Sequence, residues 1–148
     1  MSTGTFAEIA WSDIAARVDG VGNPQGFIRS RARVEATAEH FTPTVLVVEM
    51  LRRVPPSQYG PGKTVLDPAC GDGQFLVAVK WSKVIVHGMT EDEALGEIYG
   101  VDIMRDNVEY TRARLGGGTI LHGDALDPRK ELPGQTGLDH EMMLRLFC

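Results

Sequence analysis

Three short runs hold the residue types that could do chemistry. They are Asp67-Pro68-Ala69-Cys70-Gly71-Asp72-Gly73, then Asp102 at the end of Tyr99-Gly100-Val101-Asp102, then Asp124 in Gly123-Asp124-Ala125-Leu126. Gly71 and Gly73 let the backbone turn tightly and approach a ligand where a Cβ would collide. A helix starting just after them offers free N–H groups to an anionic group such as a carboxylate. Asp102 follows this loop by about 30 residues, and an acid ending a second strand there suits two hydrogen bonds from a ribose diol. Asp124, after a third strand, could accept a bond from an adenine amino group. Together these groups describe an adenosine-containing ligand with an anionic tail. Each has a plainer reading: a Gly-x-Gly strand-to-helix turn, a helix cap, or, at Asp124, an Asx turn. Three at successive strand ends make coincidence a poor explanation.

The elements that must position these residues are legible. Thr64–Ala69 is short, β-branched at its start and apolar without alternation, as expected of a strand buried on both faces. A helix over about Gln74–Val86 carries Phe75, Leu76, Val79 and Trp81. Thr90-Glu91-Asp92-Glu93 fits a capping box for a short helix. A second strand spans about Ile98–Ile103. A helix over Arg105–Leu115 is stopped by Gly116-Gly117-Gly118, and a third strand covers Thr119–His122. Upstream, Phe41–Val54 reads as a helix with Thr42 as cap, Pro43 at the first position, and Val47, Met50, Leu51 and Val54 on one face. Residues 1–34, with a short helix at Phe6–Val18, read as an arm or loosely packed lead-in, and residues 35–148 as the domain. A final helix is expected over Asp139–Phe147. Strand, helix, strand, helix, strand is a βαβαβ unit, half of a doubly wound α/β fold with a parallel sheet.

Composition narrows the classes. The chain has 148 residues, 43% hydrophobic and 24% charged, the length of one domain and too apolar for disorder. No apolar run nears the roughly 20 residues of a membrane span. The N-terminus has no basic-then-apolar leader, and two cysteines make no disulfide framework, so a reducing cytoplasm is expected. The net charge of −5 is uneven: residues 1–63 hold seven Lys/Arg against six Asp/Glu, residues 64–148 eight against fourteen. Arg29, Arg31 and Arg33 are the one compact basic run. Composition thus leaves DNA open as a partner without supporting it.

At these residues the sequence resembles the S-adenosylmethionine-dependent methyltransferases, specifically the adenine-specific DNA methyltransferases of restriction–modification systems. LDPACGDGQFL is similar to that family's first motif, YGVDIMRDNV to its second, HGDAL to its third, and EHFTP to the motif just upstream. The resemblance implies a Rossmann-like methyltransferase fold with S-adenosylmethionine as cofactor, here abbreviated to three βα units. It implies that His40, Phe41, Thr42 and Pro43 line the methionine side, and that Asp67, Ala69, Gly71 and Gly73 form the cofactor loop. It further implies that Asp102 holds the ribose while Ile103, Asp124 and Ala125 frame the adenine.

One departure bears on activity. The family's catalytic motif, Asn/Asp/Ser-Pro-Pro-Tyr/Phe after a fourth strand, binds the target amino group and stacks on a flipped base. No such tetrapeptide occurs among the 148 residues. Asp127-Pro128-Arg129-Lys130 lacks the aromatic and reads as a turn, and Asn23-Pro24 is an echo at the wrong end. The expected function is methyl transfer to the adenine amino group in DNA. The alternative is a non-catalytic S-adenosylmethionine-binding module that needs a partner. The catalytic residues are left unassigned. Without strands four to seven the first strand becomes an apolar edge, to be covered by the N-terminal arm, the C-terminal helix, a second copy or a partner chain. His87 and His122 have no companions at metal-ligand spacing. Cys70, Trp11 and Trp81 read as packing residues.

Overall fold

A computed structural model describes residues 6–20 and 42–148 of the chain. In order, the elements are α1 (Phe6–Gly20), α2 (Thr44–Arg52), a 3-10 turn (Pro56–Gln58), β1 (Val65–Asp67), α3 (Gln74–Ile85), α4 (Glu91–Leu95), β2 (Ile98–Asp102), α5 (Arg105–Leu115), β3 (Thr119–His122) and α6 (Gly137–Phe147). The three strands form one parallel sheet in the order β1-β2-β3. Asp67 lies opposite Gly100, and Asp102 opposite His122, so the strands' carboxyl ends come together.

Local chemistry accounts for the element boundaries. Thr90 and Glu93 form the anticipated capping box at the start of α4, and Gly116 in the left-handed region ends α5. Thr136 accepts a bond from the Asp139 amide and so caps α6. Gly100 sits in mid-strand because the sheet and α3 approach closely there: a Cβ would lie 2.7 Å from a Leu76 methyl.

The main core lies between one face of the sheet and helices α1, α2, α3 and α5, with Ile14, Val18, Val47, Leu76, Ile98, Val108 and Ile120 at its centre. On the other face a smaller cluster of Val101, Leu121 and Met143 sits under α6. An ion pair between Arg112 and Asp139, at 3.0 Å, ties α6 to α5. At the amino end of the sheet Lys83 is fully buried. Its Nζ donates to the carbonyls of Gly60 and Lys63, at 3.1 and 2.7 Å, and to the Glu97 carboxylate. The residues leading into β1 and β2 are thereby held to α3. Burial opposes ionisation of Glu97, but the Lys83 bond, the Gly62 amide and the Lys83 charge outweigh it and hold its carboxyl below the usual range.

Four sequence expectations change. The reading of the lead-in as loosely packed fails for α1, since Ile14 and Val18 are in the main core. Thr42 is not the cap of α2: Pro43 occupies that position, and the Thr42 carbonyl accepts from Gln74 instead. The buried face of α2 is Val47, Val48 and Leu51, whereas Met50 and Val54 point outward, because α1 and α3 pack on adjoining sides. β1 is not buried on both faces. It is the sheet's edge, as expected without strands four to seven, and Leu66 remains 45% exposed beside a hollow shared with Tyr99, Leu146 and Phe147. Among the described residues α6 reaches that face, but no strand pairs with the outer edge.

Candidate functional site

β1 delivers Asp67 and the glycine loop to the carboxyl end of the sheet, where the loop turns directly into α3. Gly71 and Gly73 both take positive φ, 55° and 87°. At Gly73 a side chain is excluded twice over, since a Cβ would also lie 2.8 Å from Thr111 Cγ2. The Val77 amide, bonded to the Gly73 carbonyl at 2.8 Å, makes the first bond of α3. The amides of Phe75 and Leu76 therefore stand outside the helix ladder and carry its positive dipole end. A cavity of about 130 Å³ opens here, lined by Thr42, Asp67, Ala69, Cys70, Gly71, Asp72, Gln74 and Phe75. The larger groove, about 560 Å³ between α1 and α2, contains none of the strand-end acids.

The acids are held in different ways. Asp67 accepts from the Ala69 amide at 3.1 Å. Burial raises its pKa, the Ala69 bond lowers it in part, and the nearby Asp102 charge raises it further. Asp102, 8% exposed, accepts three bonds: the Gly71 amide at 2.9 Å, the Met104 amide at 2.8 Å and Asn107 Nδ2 at 3.1 Å. Neither Asp67 nor Asp102 has an ion-pair partner among the described residues. Asp124 accepts from the Leu126 amide at 2.9 Å, which is the Asx turn of its plainer reading. The backbone of Ile103 is fixed by His122, whose Nε2 donates to its carbonyl at 3.0 Å. Ala125 packs with the cluster under α6. Burial pushes the Cys70 thiol well above its ordinary value, and the Asp102 and Asp67 charges add to the effect.

Of the residues singled out from the sequence, Thr42, Asp67, Ala69 and Gly71 line one cavity. Gly73 caps the start of α3 and does not line the cavity. Asp102 touches it through Gly71, while Ile103, Asp124 and Ala125 sit along the neighbouring strand ends. Pro43 is exposed at the start of α2. His40 and Phe41 lie outside the described residues, as do Asn23-Pro24 and the run Arg29, Arg31, Arg33. Asp127 to Lys130 is a turn, closed by the Lys130 amide on the Asp127 carbonyl at 3.0 Å.

Four residues that sequence reasoning passed over shape the loop. Asn107, Thr111 and Arg114 are buried in a row on α5, and Gln74 opens α3. Asn107 holds Asp102, while Thr111 donates to the Gly71 carbonyl at 2.9 Å and Arg114 to the Asp72 carbonyl at 2.8 Å. A signal existed: positions 107, 111 and 114 share one helix face with Val108 and Leu115, so they point inward with the apolar stripe.

Residues 25–128, more than two thirds of the chain, match the family of N-6 DNA methylases. No curated protein matches the chain, and no solved structure matches it. Among the described residues no helix is long and apolar enough to cross a membrane, and no cluster of three or more potential metal ligands occurs.

Proposed function

The chain belongs to the N-6 DNA methylase family, and from that premise we propose that it binds S-adenosylmethionine at the carboxyl ends of β1, β2 and β3. In this reading it provides the cofactor half of a cytoplasmic DNA adenine methyltransferase of the restriction–modification type. The observation that carries the reading is the placing of Asp67, Asp102 and Asp124 at or just beyond the carboxyl ends of three successive parallel strands, the first followed by a glycine loop that opens a helix.

The residues present suit such a ligand. The Phe75 and Leu76 amides and the dipole of α3 favour a carboxylate. Asp102 uses three of a carboxylate's roughly four acceptor sites on the protein. Asp102 would hold a ribose hydroxyl through the acceptor site that remains. Asp124 keeps one oxygen without a partner among the described residues, suited to an amino group at the adenine edge.

Bound S-adenosylmethionine supplies an activated methyl group on a sulfonium. The chain's part is to orient it and keep competing nucleophiles away. Cys70, beside the loop, is kept as the neutral thiol by burial and by the two carboxylates, so it does not compete for the methyl. The target-base residues come from outside these 148 residues in this reading, since the family's Pro-Pro tetrapeptide is not among them. The same fact favours a second reading, a non-catalytic S-adenosylmethionine-binding subunit. In either case the outer edge of β1, with Leu66 exposed, is where a partner chain or second copy docks.

Calorimetry with S-adenosylmethionine is the first test. Binding is expected, weakened by Asp102→Ala and by Asp124→Ala, and absence of heat overturns both readings. Labelled methyl transfer to unmodified DNA then separates them: transfer supports the enzyme, and binding without transfer supports the subunit.

A further inference from the structure

The buried polar residues around the glycine loop form one connected set that reaches well beyond the strand ends. Arg114 is 7% exposed, and its guanidinium serves three separate pieces of backbone and side chain. Nη1 donates to the Asp72 carbonyl at 2.8 Å, and Nη2 donates to the Val18 carbonyl and to Gln74 Oε1, both at 2.9 Å. Val18 lies in the last turn of α1, where carbonyls lack helical partners, so a cation there is doubly favourable. Gln74 turns its other end to α2, donating through Nε2 to the Thr42 carbonyl at 2.9 Å and to Thr44 Oγ1 at 3.2 Å. Thr44 donates in turn to Asp19 at the end of α1. Thr111 completes the set from the α5 side through the Gly71 carbonyl.

We propose that Arg114, Gln74 and Thr111 are positioning residues for ligand binding, which lock the glycine loop to α5 and make its geometry depend on how α1 and α2 are seated. The guanidinium is the right group because its planar fork reaches acceptors in divergent directions, which one ammonium cannot do. Burial makes the arrangement demanding: an acceptor left without its donor cannot turn to water. The loop carbonyls of Gly71 and Asp72 are bonded from α5, and this fixes which way the intervening amides face. The loop residues that meet the ligand are thus set by Arg114 and Thr111, which do not line the cavity, and by Gln74 at its border. Affinity at the strand ends is in this way tied to the ends of α1 and α2, which lie on the far side of Arg114 and Gln74.

The inference rests on the cofactor reading for its ligand, and two measurements keep the two separable. S-adenosylmethionine binding is measured by calorimetry on the full chain and on Arg114→Lys, Gln74→Met, Thr111→Val and Thr111→Ser. Amide hydrogen exchange is followed on the ligand-free proteins. Arg114→Lys, Gln74→Met and Thr111→Val should each weaken binding by about tenfold, the scale of one lost hydrogen bond to a charged or buried group. Thr111→Ser, which keeps the hydroxyl, should restore binding to near the parent. The Gly71, Gly73 and Gln74 amides should exchange faster in the three weakened variants while β2 and β3 keep their protection. Unchanged affinity alongside unchanged loop exchange overturns the inference. So does a uniform loss of protection across the sheet, which marks a purely structural role. If the parent chain binds no S-adenosylmethionine, the cofactor reading fails, and the loop-exchange pattern alone decides whether these residues lock the loop.

Discussion

The two ends of the parallel sheet are built on opposite electrostatic plans. At the amino end a fully buried cation, Lys83, meets one carboxylate and two carbonyls, and the Glu97 carboxyl is held below its ordinary pKa. At the carboxyl end two carboxylates, Asp67 and Asp102, lie near each other with no cation paired to either among the described residues, and Asp67 is pushed up. The first arrangement stabilises the fold; the second works against it, by burial and by like charge. Among the described residues, then, charge meets charge at one end, while at the other Asp67 and Asp102 are held by amide donors alone. The glycine loop and the start of α3 share that end, where Arg114 pairs with Asp72 at 3.9 Å but with neither Asp67 nor Asp102 among the described residues.

The largest effect should come from breaking the matched end. Lys83→Met removes the one ammonium that serves Glu97 and the Gly60 and Lys63 carbonyls, and denaturant unfolding at neutral pH should show a loss of about 3 kcal/mol. That is the low end for a broken buried pair, because Glu97 keeps some contact with water. Next comes the loop itself. Gly73→Ala adds a Cβ in a left-handed conformation 2.8 Å from Thr111, and the same measurement should show a loss of about 1–3 kcal/mol.

Two smaller effects concern pH and have opposite signs. The depressed Glu97 contributes stability that is complete above the pKa it has when unfolded, and that disappears as pH falls through its folded value. Glu97→Gln should therefore lower the melting temperature at neutral pH and flatten this part of the acid limb. The raised Asp67 acts in the other direction: its contribution is most favourable below its unfolded pKa, and stability is lost as pH rises through the folded value. Asp67→Asn should produce a small rise in melting temperature at neutral pH, the smallest effect of the four. A fall there would show that the carboxylate end is matched after all, and the contrast between the two ends would dissolve.

Much of this arrangement was legible in the sequence, for reasons that differ by residue. β3 was bounded at Thr119 and His122 because a glycine run precedes it and Gly123-Asp124 follows. The capping box at Thr90 is a contact between neighbours in the chain, so local sequence suffices to specify it. Thr42 misled because capping there competes with a long-range bond from Gln74 that no local pattern reveals. The row Asn107, Thr111 and Arg114 was overlooked because polar helical residues ordinarily face water, and only a loop folded against α5 gives them buried acceptors. Lys83 escaped notice for the same reason: its acceptors come from positions 60, 63 and 97.

By itself, then, the sequence determined the order of strands and helices, the glycine loop, and the placing of an acid near each strand end, since these follow from periodicity, turn chemistry and local capping. Only the tertiary structure decided that Leu66 on the edge strand β1 stays half exposed, that α1 belongs to the core, and that Asp102 is already bonded by the Gly71 amide of the loop. It also decided which end of the sheet has matched charge. Burial and hydrogen-bond partnership are properties of residues far apart in the chain, and they come into being only when the elements pack.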